Sequence, residues 1–196
     1  MAFVALNINA RQKYNLNSDW SVKVFTSSED TEKYRMSDTE GWTTVTLPRA
    51  FNEDDAFRVS IDSLSEAYAW YVKEFVVPRK MRGGKVIVEF EGVRQAGEFY
   101  INGHRLGLHE NGVMAVGYDL TPYIKWDEVN ELRVHIDNSW NYEERATGTK
   151  YQWNNKNFNA NYGGIPKNVR LHVTKNKVYQ TLPLYSSLGT TGTYVY

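Results

Sequence analysis

The stretch of sequence that most clearly indicates the fold is Glu98-Phe99-Tyr100-Ile101-Asn102-Gly103-His104-Arg105-Leu106-Gly107-Leu108. An Asn-Gly pair between two alternating segments is the strongest short-range signal for a β-hairpin, because both residues accept positive φ angles. The passage therefore predicts two antiparallel strands, residues 98–101 and 105–108, joined by a tight turn.

The same alternation of apolar and polar residues recurs along most of the chain, whereas helical periodicity is almost absent. Two of the predicted strands end at Pro48 and Pro78, because proline removes a donor from the sheet ladder. Besides the hairpin, the predicted strands are residues 20–25, 42–47, 69–77, 85–91, 114–118, 131–136 and 168–173. Short strands with regular turns are typical of an antiparallel β-sandwich or barrel, so we predict an all-β fold.

Length, charge and composition exclude several classes of protein. The chain has 196 residues, enough to bury one sizeable core. Lys plus Arg and Asp plus Glu both number 23, and this zero net charge argues against nucleic acid as a partner. Cysteine is absent, which excludes disulfides and thiolate metal sites. No apolar stretch approaches the ~18 residues of a membrane span, so we expect no membrane partner either.

Two predicted loops, residues 49–68 and 138–167, are too long to be simple connections, and long loops on a rigid sandwich often carry binding sites. The second loop is rich in amides and aromatic rings, which suit sugar hydroxyls and the apolar faces of sugar rings. An equally good interpretation is that these side chains only fix the loop onto the sandwich. The residues concerned are Trp140, Tyr142, Tyr151, Trp153, Asn154, Asn155, Asn157, Asn159, Asn161 and Tyr162.

The sequence offers no set of residues that would form an active site. His135 and His172 lie within predicted strands, where a structural position is the better interpretation, and no Gly-x-Ser-x-Gly elbow presents a serine. The adjacent Glu143 and Glu144 are interpreted as loop surface rather than as a glycosidase acid pair. The acidic run at residues 53–55 is interpreted as a solvated surface. We therefore predict no catalytic residue, metal or cofactor in this chain.

The pattern of apolar and polar residues changes after Val173. Residues 174–177 predict a linker, and residues 189–196 start an alternating strand that the sequence leaves without a partner. We therefore expect one domain at residues 1–174 and, at residues 175–196, a linker with the first strand of a truncated second domain.

Several passages of this sequence resemble the family 2 glycoside hydrolases, which include β-galactosidases, β-glucuronidases and β-mannosidases. The longest is residues 91–103, with Gly92-Val93 and Asn102-Gly103, and it continues through residues 106–109 and 118–124. Four shorter passages follow the family pattern in the same order: residues 42–49, 70–75, 130–139 and 162–169. Together the five passages cover roughly residues 18–173.

The resemblance implies a jelly-roll β-sandwich of the galactose-binding-domain type. It also implies that the parent protein is a retaining β-glycosidase, and our choice within the family is a β-galactosidase. The catalytic glutamates of the family lie on a (β/α)₈ barrel, which would follow an immunoglobulin-like domain whose first strand we expect within residues 175–196. The implied partners are therefore a β-galactoside or related carbohydrate and those two domains of the same polypeptide. The resemblance favours a periplasmic or secreted location over a cytoplasmic one.

In this family the sandwich often lends loop residues to the sugar subsite, one of them an acidic residue just before the Tyr-Gly-Gly-Ile turn. Here residues 156–161 contain no Asp or Glu, and Asn157 is the nearest match. The residues that we predict to bind sugar or line the active site are Asn52, Asp54, Trp153, Asn157, Asn159 and Tyr162. Two alternatives stay open: an autonomous carbohydrate-binding module, and a structural domain that only packs against its neighbours.

Overall fold

The computed structural model describes residues 11–54, 58, 67–150 and 162–174. The regular structure of this part of the chain consists of twelve strands, one short α-helix, α1 (Asp30–Arg35), and short 3₁₀ helices such as Arg79–Met81 and Thr121–Tyr123. The strands are β1 (Arg11–Asn15), β2 (Trp20–Phe25), β3 (Thr43–Val45), β4 (Arg49–Ala50), β5 (Tyr68–Val76), β6 (Val86–Phe90), β7 (Ala96–Ile101), β8 (His104–His109), β9 (Val116–Asp119), β10 (Val129–Asp137), β11 (Gly164–Ile165) and β12 (Val169–Thr174). No helix within the described residues is long and apolar enough to cross a membrane.

Two antiparallel sheets form the body of the domain. One has the strand order β1-β12-β6-β9, and the other has the order β3-β2-β5-β10-β7-β8. A third, two-stranded sheet joins β4 to β11. The crossed strand orders and antiparallel pairing are those of a jelly-roll sandwich, so the predicted fold class is confirmed.

The core lies between the two large sheets, where large apolar side chains meet face to face. Phe90 of β6 and Phe99 of β7, which come from opposite sheets, have ring centroids 4.9 Å apart. Trp20 of β2 contacts Phe90 edge-on and donates its indole N–H to the Leu16 carbonyl at 2.6 Å. In β6, Val86, Val88 and Phe90 are buried while the residues between them are only partly buried, which is the period-two pattern that the sequence predicted.

The predicted hairpin is confirmed in detail. Ile101 pairs with His104, and the two turn residues Asn102 and Gly103 have φ angles of 48° and 82°. The Asn102 side chain also donates to the Tyr123 carbonyl at 2.8 Å and accepts from the Glu131 amide at 3.0 Å. The turn residue that fixes the hairpin thus also ties it to the neighbouring strand β10.

A second apolar cluster lies on the outer face of the six-stranded sheet, beneath α1. Phe25, Trp70 and Tyr100 form its buried part. The Trp70 indole N–H donates to the Thr31 carbonyl at 2.9 Å, and Arg133 donates to carbonyls at the end of α1. The sequence pattern did not predict this helix, because six residues are too few to show a period and none of them is buried.

Other elements differ from prediction in their extent, and three strands, β1, β4 and β11, were not predicted. The predicted strand 42–47 is shortened to Thr43–Val45, and residues 49–50, predicted as loop, form β4. Strand β1, which was not predicted, pairs with β12 at the edge of its sheet. The linker and the strand predicted at residues 175–196 lie outside the described residues, so the domain boundary at residue 174 stays a prediction.

Candidate functional site

The two long loops of the sequence meet at one place on the sandwich. Arg49 pairs with Ile165 and Ala50 with Gly164, so β4 near the start of the first loop lies beside β11 near the end of the second. The Phe51 amide donates to the Gly163 carbonyl at 2.8 Å. Backbone pairing between segments more than 100 residues apart therefore builds this region.

Both glycines of the Gly163-Gly164 turn are required by their surroundings. A Cβ on Gly163 would lie 2.5 Å from Asn138 Cγ and 2.5 Å from Phe51 Cζ. Gly164 has a φ of 128°, and a Cβ there would lie 2.8 Å from the Tyr71 hydroxyl oxygen. The pair therefore forms a tight, close-packed turn in which neither position has room for a side chain.

A third segment joins the turn through the connection between β6 and β7. The Arg94 amide donates to the Gly164 carbonyl at 2.9 Å, and the Gly164 amide donates to the Arg94 carbonyl at 2.8 Å. We call the assembled region the rim and define it as residues 48–54, Arg94 and residues 162–166. It encloses a shallow depression of about 320 Å³, which is lined by Pro48, Arg49, Ala50, Glu53, Arg94, Tyr162 and Pro166.

Two arginines of the rim have different electrostatic surroundings. Arg49 lies 3.0 Å from the Asp54 carboxylate and 3.5 Å from that of Glu53. Glu53 also accepts a hydrogen bond from the Ala50 amide at 3.1 Å. Arg94 is half-buried, and burial lowers the pKa of its guanidinium. No carboxylate among the described residues pairs with Arg94.

The rim contains three of the six residues predicted to contact sugar. Tyr162 is half-buried and lines the depression. Asp54 is an exposed partner of Arg49. Asn52 is 2% exposed and lies beneath the surface, where its side-chain oxygen accepts a hydrogen bond from the Gly163 amide at 3.1 Å. Its position supports the turn, and a sugar contact by any of the three stays a prediction.

The other three predicted contacts, Trp153, Asn157 and Asn159, lie outside the described residues. Arg49 and Arg94 were not among the candidates predicted from the sequence. Each is an arginine inside a short motif of the family resemblance, and that is the sequence signal that could have identified them.

Part of the second long loop is fixed to the sandwich by its own side chains. Tyr142 is buried, and its hydroxyl donates to Glu110, which also accepts from the Arg145 amide at 2.8 Å. Burial raises the pKa of the Tyr142 hydroxyl, and the Glu110 carboxylate adds to this effect. For this residue the structural interpretation of the loop aromatics is the one that the contacts support.

The histidines and the loop glutamate that the sequence assigned to structural positions occupy such positions. Glu143 is exposed, as predicted for a loop surface. His135 and His172 are buried within strands β10 and β12. Within residues 11–54, 67–150 and 162–174, no group of three or more histidine and carboxylate side chains is arranged to hold a metal ion.

Comparison with known sequences gives a consistent family assignment. The family profile described as "Glycosyl hydrolases family 2, sugar binding domain" matches residues 13–175. A β-glucuronidase of Formosa agariphila is 36% identical over 95% of this chain, and a β-galactosidase of Bacteroides ovatus is 30% identical over 67% of it. The chain spans only 19% and 16% of the lengths of these two relatives.

Solved structures agree with the sequence comparison. A β-glucuronidase from glycoside hydrolase family 2 superimposes with a TM-score of 0.79 at 34% identity, covering 95% of this chain and 20% of that one. A putative β-galactosidase from Bacteroides fragilis superimposes with a TM-score of 0.68 at 28% identity, covering 85% of this chain and 24% of that one. The shared part of these large chains is the sandwich described above.

Proposed function

The chain belongs to the sugar-binding domain family of the glycosyl hydrolases of family 2, and we propose that it is the non-catalytic N-terminal domain of a longer retaining β-glycosidase. In this proposal the domain shapes one side of the active-site mouth and contacts the carbohydrate. Other domains of the same polypeptide carry the catalytic carboxylates and follow after the linker predicted at residues 175–196.

The observation that carries this proposal is the rim. Three distant segments are held together by main-chain hydrogen bonds, and they present a tyrosine, two arginines and an open depression. A depression with a few convergent polar groups is the usual form of a small-ligand site. The described residues bring no pair of free carboxylates to this place, which supports a binding role over a catalytic one.

For the substrate of the parent protein we propose a β-glucuronide. The relative named β-glucuronidase is 36% identical and matches 95% of the chain. A β-galactoside, the choice made from the sequence, is the second candidate. It is supported by the 30% identity to the β-galactosidase of Bacteroides ovatus.

An exposed apolar pair supports the further idea that the domain packs against the rest of its polypeptide. Val113 is 48% exposed and Met114 is 55% exposed, in a loop fixed by hydrogen bonds from their amides to Asn111 Oδ1, both 3.1 Å long. Apolar side chains held rigidly in solvent often mark a contact surface. This pair favours a domain built into a larger protein over an autonomous carbohydrate-binding module.

Hydrolysis assays test the proposal. We expect the parent polypeptide to hydrolyse p-nitrophenyl β-D-glucuronide faster than p-nitrophenyl β-D-galactoside, and we expect this 196-residue chain alone to hydrolyse neither. A mock purification from the same host without the chain is the control for contaminating enzyme. Turnover by the isolated chain above that control would contradict a non-catalytic role, and faster galactoside hydrolysis by the parent would reverse the order of substrates.

A further inference from the structure

The chain contains two Asn-Gly pairs, and the fold places them in different surroundings. Asn102-Gly103 is the turn between β7 and β8, and Asn111-Gly112 lies in the connection between β8 and β9. Asparagine before glycine is prone to deamidation, because glycine has no side chain that keeps its backbone nitrogen away from the asparagine carboxamide. The two pairs are the same in sequence, so a difference in their reactivity has to come from the fold.

The Asn102 carboxamide is held by its nitrogen. Nδ2 donates to the Tyr123 carbonyl at 2.8 Å and to Asn130 Oδ1 at 2.9 Å, while Oδ1 accepts from the Glu131 amide at 3.0 Å. In deamidation this nitrogen leaves as ammonia, and it can do so only by giving up both acceptors. The main chain is fixed as well, because the Asn102 amide donates to the Glu131 carbonyl at 2.8 Å. The hairpin therefore protects its own asparagine.

The Asn111 carboxamide is held by its oxygen instead. Oδ1 accepts hydrogen bonds from the amides of Val113 and Met114, both 3.1 Å long. Two amides directed at one carbonyl oxygen stabilise the negative charge that it gains when a nucleophile adds to its carbon. The side chains of Val113 and Met114 are exposed, so water reaches this loop. The contacts at Asn111 therefore favour the reaction, whereas those at Asn102 oppose it.

We propose that Asn111 is a site of spontaneous deamidation in the folded chain and that Asn102 is protected. The Gly112 nitrogen gives its proton to hydroxide and bonds to Asn111 Cγ, and the amides of Val113 and Met114 hold the charge on Oδ1. The Cγ–Nδ2 bond then breaks, and the nitrogen takes a proton from water and leaves as ammonia. Water opens the five-membered succinimide that remains, which gives aspartate or isoaspartate. This inference goes beyond the proposed function and does not depend on it.

The modification changes the loop that presents Val113 and Met114. Isoaspartate carries the main chain through its side-chain methylene, which lengthens the loop, and it adds a carboxylate. The loop has little room for the extra atom, because an added carbon at Gly112 would lie 3.2 Å from Arg94 Cγ and Lys167 donates to the Val113 carbonyl at 3.3 Å. Deamidation therefore alters the exposed apolar pair and adds a negative charge beside it.

The test is a time course of the wild-type chain at mildly alkaline pH, followed by tryptic peptide mapping with mass spectrometry. Trypsin places the two asparagines in different peptides, residues 95–105 and 106–125, so the loss of each carboxamide is measured separately. We expect Asn111 to deamidate at least about tenfold faster than Asn102. Equal rates, or a faster reaction at Asn102, would overturn the proposal.

The chain unfolded in guanidinium chloride is the matched control. Both Asn-Gly pairs then lose the contacts of the fold, so we expect similar rates at the two positions. A preference for Asn111 of the same size in the unfolded chain would come from local sequence and would overturn the role of the fold. The absence of reaction at Asn111 in the folded chain, over a time in which the unfolded chain reacts, would overturn the proposal as well.

A pair of variants tests the two amide donors. Val113→Pro removes one donor to Asn111 Oδ1, whereas Val113→Ala keeps it. We expect deamidation at Asn111 to be at least about threefold slower in the proline variant than in the alanine variant. Equal rates in the two variants would overturn the part assigned to the amide donors. The comparison of Asn111 with Asn102 in the wild-type chain keeps the test decisive if the proline variant fails to fold.

Discussion

At the scale of single residues, His135 makes the stability of the domain sensitive to acid. The ring is buried on the outer face of the six-stranded sheet, with its centroid 5.0 Å from that of Trp70 and 6.3 Å from that of Tyr68. Burial lowers its pKa from 6.5 to about 4, although Asp137 and Glu98 act in the opposite direction. The folded state therefore keeps His135 neutral at a pH where the unfolded chain already binds the proton.

The sign of the pH effect follows from this difference in proton binding. The stabilising contribution is complete above pH 6.5 and is lost as the pH falls from 6.5 to 4, because the unfolded state binds more protons in that interval. We expect the free energy of unfolding to fall by about 3 kcal/mol from this residue. Urea denaturation at several pH values measures this change.

His135→Phe should remove most of the pH dependence of the free energy of unfolding between pH 6.5 and 4. His104→Gln, at an exposed histidine, should leave that dependence unchanged. If His135→Phe also leaves it unchanged, His135 is not its cause.

Gly163 shows how little room the rim leaves for a side chain. Gly163→Ala would push a methyl group against Asn138 and Phe51, so we expect it to lower the free energy of unfolding by about 3 kcal/mol. Gly148→Ala is the matched control, because Gly148 has a φ of 68° but no atom within 4 Å of the added carbon. That variant carries only the backbone cost of about 1 kcal/mol. Thermal or urea denaturation of both variants tests the difference, and equal losses would mean that the crowding at Gly163 relaxes.

At the scale of elements, α1 depends on one arginine of the sheet below it. Arg133 is 6% exposed and donates to the carbonyls of Arg35 at 3.1 Å and Ser37 at 2.7 Å, while Glu131 balances its charge. We expect Arg133→Met to lower the free energy of unfolding by about 2–4 kcal/mol, because buried carbonyls lose a charged donor. Amide hydrogen exchange in α1 should rise by more than in β10.

The control for this variant is Glu32→Gln, which removes an ion pair with Arg35 on the surface of the same helix. Its cost should stay below about 1 kcal/mol, because exposed ion pairs contribute little. Unchanged hydrogen exchange in α1 of Arg133→Met would mean that the contact between Trp70 and Thr31 is sufficient to hold the helix.

Some elements of this domain can be predicted from the sequence and others cannot. Strand β6 alternates because one of its faces is the more deeply buried, and a pattern in the sequence records this burial directly. Strand β1 is a short edge strand of mostly polar residues, Arg11–Asn15, so it carries no such pattern. Strands β4 and β11 have two residues each and exist only because they pair with each other. Local sequence has no record of a pairing between residues so far apart.

At the scale of the whole molecule, the same limit applies to the candidate site. The jelly roll follows from the strand pattern together with the family resemblance, and Tyr162 was identified because its turn belongs to that resemblance. Arg94 was not identified from the sequence. It is a candidate because it lies beside Gly112 and Gly164 and lines the depression together with Arg49, and these residues come together only in the folded sandwich. The depression itself is likewise formed by three segments together, and no single segment contains it.

The main-chain construction of the rim has a consequence for the divergence of such domains. Arg94 and Gly164 are joined through amides and carbonyls, which every residue except proline provides. Side chains at positions 49, 94 and 162 can therefore be exchanged while the backbone beneath them stays in place. A lineage could change the sugar it recognises through single substitutions at these positions, without passing through unstable intermediates, so one inherited scaffold can serve enzymes of different substrate preference.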